Sequence, residues 1–190
     1  MSAHESPLPV RRVPGEPGLW VFLLLDLLVF TVFFGTILVL RDRAPEAFAA
    51  GQDALHPALA ALNTVLLVTG SVFVVRAVEA ARAGAVAGVR RLLLLGAATG
   101  VAFIGVKAYE YADLVDAGHS MRDGDFFLCY FAFTGVHLVH VALGTGLLLA
   151  VAGRARRRPL RPEIVEGAGA YWHLVDLLWL VLFPLLYLST

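Results

Sequence analysis

Five long apolar runs dominate this chain: Gly18 to Leu40, Ala58 to Glu79, Leu92 to Asp113, Phe127 to Val151 and Gly169 to Leu188. Each is 20 to 25 residues long, enough for a helix rising about 1.5 Å per residue to cross a hydrocarbon layer of about 30 Å. Together they take up 112 of the 190 residues, which leaves short connections and no second domain. A β-barrel needs apolar and polar residues to alternate, and these runs do not. The expected fold is therefore all-α, a single five-helix membrane bundle over 18–190 preceded by a tail over 1–17. Hydrophobic residues make up 59% of the chain and mean hydropathy is +0.78, more than one soluble core of this size can hide.

Charge placement gives the orientation. Fifteen basic residues balance fifteen acidic ones, so no basic field exists to attract nucleic acid, and none is expected as a partner. With the N-terminus cytoplasmic, eleven arginines fall on the inner side and three, Arg41, Arg43 and Arg122, on the outer side. That bias predicts an N-terminus inside and a C-terminus outside. Asp26 interrupts the first run and no cleavage pattern follows it, so this run reads as a permanent span and not a signal peptide. Pro14, Gly15 and Pro17 punctuate the tail, His56-Pro57 opens the second span, and the Arg-rich stretch 153–162 makes an inner hairpin. The lone Cys129 excludes a disulfide framework and any cysteine-rich metal cluster.

Ionisable side chains at membrane depth cost about 2.5–3.5 kcal/mol each on insertion scales, so each is a functional candidate that must face the bundle or water. Asp26, Lys107, Glu110, His137, His140, His173 and Asp176 fall within the runs, with Glu79, Asp113 and Glu166 near their ends. Counted along the helices, Asp26, His140, His173 and Asp176 form an inner layer, and Lys107, His137 and Glu110 a central-to-outer one. His137 and His140 are three apart on one helix face, as are Lys107 and Glu110, and His173 and Asp176. The His-x-x-His pair is compatible with a metal or haem site, or with imidazoles bonding between packed helices; no further ligand spacing accompanies it. Lys107 and Glu110 read as a self-neutralising ion pair or as a proton relay. Asp26 has no basic residue in its own run and must find a partner on another span, hold water, or stay protonated.

Asn63-Thr64 and Thr69-Gly70-Ser71 suit interhelical hydrogen bonds, and Gly96-x-x-x-Gly100 offers a flat face. Trp20, Tyr109, Tyr111, Tyr171, Trp172 and Tyr187 sit near run ends, where an interfacial aromatic belt accounts for them.

Taken in order, the polar markers are Pro14-Gly15-Glu16; Asp26; Leu62-Asn63-Thr64; Lys107-x-x-Glu110-Tyr111; Thr134-Gly135-x-His137-x-x-His140; and Tyr171-Trp172-His173-x-x-Asp176-x-x-Trp179. This ordered set resembles the subunit III family of haem-copper oxidases, from about Pro14 to Tyr187, and matches the last five of the seven spans in the family's long form. The opening Pro-Gly-Glu-Pro-Gly-x-Trp-Val-Phe and the closing segment Asp176 to Tyr187 resemble the branch associated with nitric oxide reductase. The other reading within the family is a true subunit III of an aerobic proton-pumping cytochrome c oxidase.

The resemblance implies a non-catalytic accessory subunit with no cofactor of its own. It implies packing on a haem-bearing catalytic subunit I, which carries the haem and any copper, together with bound phospholipid and support of proton uptake, assembly or turnover stability in a bacterial plasma membrane. It also implies that Asp26 occupies the place of the family's membrane-buried carboxylic acid, usually glutamate, which reacts with a carbodiimide. Glu110, His137, His140, Glu166, His173 and Asp176 match the family's polar core, where none is a redox ligand, and Asn63 and Lys107 complete the expected interhelical polar core of this chain. Two readings from other classes stand beside it. One is a self-contained metal or haem oxidoreductase using His137, His140 and His173; the other is a proton-linked transporter using Asp26 and Asp176.

Overall fold

A computed structural model of the protein describes residues 17–156 and 161–188. Among the described residues the chain is entirely helical apart from turns: α1 (Pro17–Arg43), α2 (Pro45–Asp53), α3 (Pro57–Arg82), α4 (Val86–Asp116), α5 (Asp125–Ala155) and α6 (Pro162–Tyr187). The Pro14-Gly15-Glu16 opening, most of the N-terminal tail, and Arg157 and Arg158 of the expected inner hairpin lie outside the described residues.

Five of the six helices are long and apolar enough to cross a membrane. They coincide with the five apolar runs and extend beyond them. The last begins at Pro162, seven residues ahead of Gly169, because Glu163 and Glu166 continue the helical turn even though they end the apolar pattern. At 26 to 31 residues the helices are about 39–46 Å long, so their polar ends project past the hydrocarbon layer or the helices tilt within it. The short α2 was not visible as an apolar run. Proline stands at its first position, as it does in α3 and α6, where a missing N–H costs nothing and φ is preset.

Two of the turns are glycine-terminated in the same way. Gly84, at φ +72°, follows α3, and Ala85 N–H donates to Ala80 O at 2.9 Å while Gly84 N–H donates to Ala81 O at 3.1 Å. Gly118, at φ +91°, repeats the pattern after α4 with His119 N–H on Leu114 O and Gly118 N–H on Val115 O. These are Schellman closures, in which a left-handed residue without Cβ lets the last carbonyls find donors.

Helices α3, α4, α5 and α6 form a closed ring, each against the next and α6 back on α3. Helix α1 lies outside the ring against α5 and α6, and α2 crosses between α1 and α5, with Phe48 edge-on to Phe126 at 5.3 Å. Burial ranks the helices accordingly: 22% of the apolar window of α1 is covered within the chain, against 50% for α6. Val21, Leu24, Leu25, Leu28 and Val32 leave one side of α1 apolar and uncovered, as lipid contact requires.

Helix α6 fills the middle of the ring with Trp172 and Trp179, both essentially inaccessible. Trp172 fits because helices approach it through glycines. A Cβ on Gly100 of α4 would meet the Trp172 ring at 2.9 Å, and one on Gly70 of α3 would meet it at 3.0 Å. On the flat face of α4, Gly100 is thus an indole seat, while Gly96 is a close helix–helix contact against Val74 and the Gly70 carbonyl of α3. Trp172, Tyr171 and Tyr187, assigned from sequence to an interfacial belt, are instead buried in the bundle. Tyr171 and Trp172 lie near the start of the apolar run but two turns inside α6, which begins at Pro162, and Tyr187 at its last position turns inward to the bundle. Trp20 and Tyr109 do face outward.

Candidate functional site

One lysine organises the half of the ring nearer the C-terminal ends of α4 and α6. Lys107 on α4 is completely buried, and so is Glu110 one turn on. An ammonium has three donors, and all three are engaged: Glu110 Oε2 at 3.0 Å, Tyr130 OH at 3.0 Å and Tyr187 OH at 2.8 Å. Tyr187 OH in turn donates to Glu110 Oε1 at 2.7 Å, so both carboxylate oxygens are bonded and the circuit closes. Four aromatic rings surround Nζ, those of Tyr130, Tyr111, Trp179 and Tyr187, with centroids at 4.7 to 5.5 Å. Their negative faces add cation–π attraction where no water competes.

The same level also ties in α3. Thr134 Oγ1 donates to Tyr130 O at 2.5 Å; its single hydrogen is then used, so Tyr111 OH is the donor in the 2.6 Å bond to Thr134 Oγ1. Trp179 Nε1 donates to Thr64 Oγ1 at 3.0 Å, and Thr64 donates to Ala60 O. Side chains of α3, α4, α5 and α6 thus meet in one polar and aromatic layer.

The other layer, toward the start of α1 and α6, is built of separate pairs. His140 Nδ1 lies 2.7 Å from Val136 O. A carbonyl oxygen only accepts, so Nδ1 carries hydrogen. His140 Nε2 faces Asp26 Oδ1 at 2.9 Å, and this line holds one proton, drawn either as imidazolium and carboxylate or as neutral imidazole and carboxylic acid. This contact joins α1 to the ring. The side chains retain 15% and 10% exposure, so the pair sits at the rim of the bundle and not inside it. Phe30 covers it edge-on at 5.5 Å from His140. His173 and Asp176, one turn apart on α6, meet through Ser71 of α3: Ser71 Oγ donates to Asp176 Oδ2 at 2.7 Å and accepts from His173 Nδ1 at 3.1 Å. Where α3 ends and α6 begins, Arg82 Nε donates to Glu166 Oε1 at 2.7 Å, again between these two helices.

His137 and Asn63 behave differently. Both are fully buried, and neither side chain has a hydrogen-bond partner among the described residues. His137 lies against Trp179, rings stacked at 5.3 Å, with Phe103 edge-on at 5.7 Å. His137, His140 and His173 therefore face an aromatic pocket, a carboxylate and a serine respectively, and do not converge. Among the described residues no group of three or more His, Cys, Asp and Glu side chains is arranged to hold a metal ion.

Sequence spacing singled out Lys107 with Glu110, but not Tyr130 and Tyr187, which lie 23 and 80 residues from Lys107. Of the alternatives open for Asp26, the structure supplies a partner on another span, His140.

The described geometry stands beside clear sequence relationships. The model of the family "Cytochrome c oxidase subunit III" matches residues 16–190. Cytochrome c oxidase subunit 3 of Thermostichus vulcanus is 33% identical over 192 residues, covering 99% of this chain and 91% of the relative. The subunit of the same name from Synechocystis sp. is 31% identical, over 98% of this chain and 86% of the relative. Quinol oxidase subunit 3 of Bacillus spizizenii is 26% identical, over 90% and 85%.

Proposed function

The chain belongs to the cytochrome c oxidase subunit III family, and from that premise we propose that it acts as a scaffold within a respiratory haem-copper oxidase complex, packed on the haem-bearing catalytic subunit I. It is a multi-pass protein of the bacterial plasma membrane and an accessory subunit, not the catalytic one. The observation that carries the scaffold role is the Lys107 cluster, in which three ammonium donors and both Glu110 oxygens are bonded inside the bundle. Groups so engaged fix helix register. Asn63, His137, His140, Glu166, His173 and Asp176 extend this polar core, and Asp26 is the carboxyl at its rim, linked to proton uptake by the partner. The N-terminus faces the cytoplasm. Bound phospholipid fills the outward apolar faces, and the haem, with any copper, belongs to the partner.

The test is a pull-down of the tagged full chain in mild detergent from native membranes. Co-elution of a larger haem-bearing subunit, seen as a Soret band in the complex, is the expected result. A stable chain eluting without a partner would overturn the reading.

Oxygen as the electron acceptor is favoured by relatives that are cytochrome c and quinol oxidase subunits. The nitric oxide reductase branch rests on the opening Pro14-Gly15-Glu16 and the closing segment of α6. Oxygen or nitric oxide consumption by the co-purified complex decides between them.

A further inference from the structure

Where α4 begins and α5 ends, a groove of about 360 Å³ opens on the bundle surface, within the roughly 300–1,000 Å³ typical of small-molecule sites. Its upper edge carries Arg90, Arg154 and Arg156, all exposed. Below them, one turn or more deeper along the two helices, Leu94 and Leu149 line the groove and are themselves half-open. No carboxylate lines it, and none of the three arginines makes an ion pair among the described residues. The groove exists partly because Gly153 stands in its wall, with open space where a Cβ would project.

Three guanidinium groups at a membrane boundary without counter-charges are an incomplete arrangement. The planar fork of arginine matches a phosphate bidentately, and basic pockets between spans attract anionic headgroups from the surrounding leaflet. A ligand that completes this site carries negative oxygens at the level of the arginines and hydrocarbon at the level of the leucines. We propose that the groove between α4 and α5 is a binding site for one anionic phospholipid, its phosphate held by Arg90, Arg154 and Arg156 and its acyl chain laid over Leu94 and Leu149. The lipid comes from the leaflet on the side where α1 begins. The site gives a particular place and headgroup chemistry to the lipid binding proposed above. It rests on that reading only in part, because lipid retention is measured on the chain itself whereas the scaffold role falls with loss of the haem partner.

The test uses the full-length protein exchanged into mixed micelles of equal phosphatidylglycerol and phosphatidylcholine, with retained lipid read by native mass spectrometry. At about fivefold per arginine near the surface, the expected preference for phosphatidylglycerol is on the order of a hundredfold. The triple variant Arg90→Gln, Arg154→Gln, Arg156→Gln brings this to within a few-fold of unity. Gly153→Leu keeps every charge, fills the groove from a helical position where an added Cβ has open space around it, and abolishes retention as well; it serves as the folded control if the triple variant is unstable. Undiminished preference in Gly153→Leu, or in a folded triple variant, overturns the proposal. Displacement of the lipid by millimolar inorganic phosphate would reduce the site to a simple anion site, and a photo-crosslinker at position 94 that captures a partner subunit and no lipid would assign the groove to a protein contact; either result overturns it.

Discussion

The Lys107 cluster and the Asp26–His140 pair both bring opposite charges or their neutral equivalents together inside a membrane, yet they are built on opposite principles. The first is closed: no member of the Lys107–Glu110 pair reaches the surface, every donor of the ammonium is engaged, and four helices contribute to its layer. The second is open: a single contact of 2.9 Å joins a peripheral helix to the ring, and Asp26 Oδ2 has no partner among the described residues. A closed network resists change because each group removed strands another in a place without water. An open pair can change partner without stranding a group at the centre of the ring. One motif therefore suits holding the bundle together and the other suits communicating with whatever lies beside α1.

The sharpest way to break this comparison is Lys107→Met, which leaves Glu110 buried without its counter-ion. The expected loss is about 3–5 kcal/mol, read as a fall in thermal midpoint and yield in detergent, and the double variant Lys107→Met, Glu110→Gln recovers most of it. If the single variant is as stable as the parent, the closed network carries no stability. Next in size is Tyr187→Phe, which removes one hydroxyl that both accepts from Lys107 and donates to Glu110; about 1–3 kcal/mol is expected by the same measurement.

Asp26→Asn is smaller, because an amide can still donate to His140 Nε2 and the pair sits at the rim of the bundle. A change below about 1.5 kcal/mol is expected, with a hydrophobic carbodiimide labelling wild-type Asp26 and sparing fully buried Glu110 by peptide mass mapping. Labelling of Glu110 in the folded protein would erase the distinction between closed and open sites.

The smallest effect lies outside the membrane. In the loop between α4 and α5, Ser120 Oγ donates to Asp123 at 2.8 Å, and this bonding with the Ser120 backbone N–H holds the Asp123 carboxyl below its ordinary range. A depressed carboxyl contributes stability above the unfolded value and loses it as pH falls through the folded one. Asp123→Asn should therefore flatten the acid limb of the loop's hydrogen-exchange protection without moving the neutral plateau.

The five spans were legible because a run of twenty apolar residues has one stable outcome in lipid. Helix α2 was not, since nine residues containing Glu46, Gln52 and Asp53 carry no such signal. Pairing within one helix was legible too: three-residue spacing identified Lys107 with Glu110. Spacing failed where a third residue intervenes, as Ser71 does between His173 and Asp176. It also failed where partners come from distant spans. Helices that are apolar all round do not announce which side faces inward, so nothing in the sequence told Tyr187, which completes the cluster, from an interfacial tyrosine.

Because α1 precedes the ring helices in the chain and lies outside them, its carboxyl is synthesised 114 residues before the imidazole it meets. At about 5–20 residues per second that gap lasts roughly 6–23 seconds. Throughout that interval Asp26 is without the partner it has in the finished fold, and docking of α1 on the ring through this contact cannot precede the synthesis of α5.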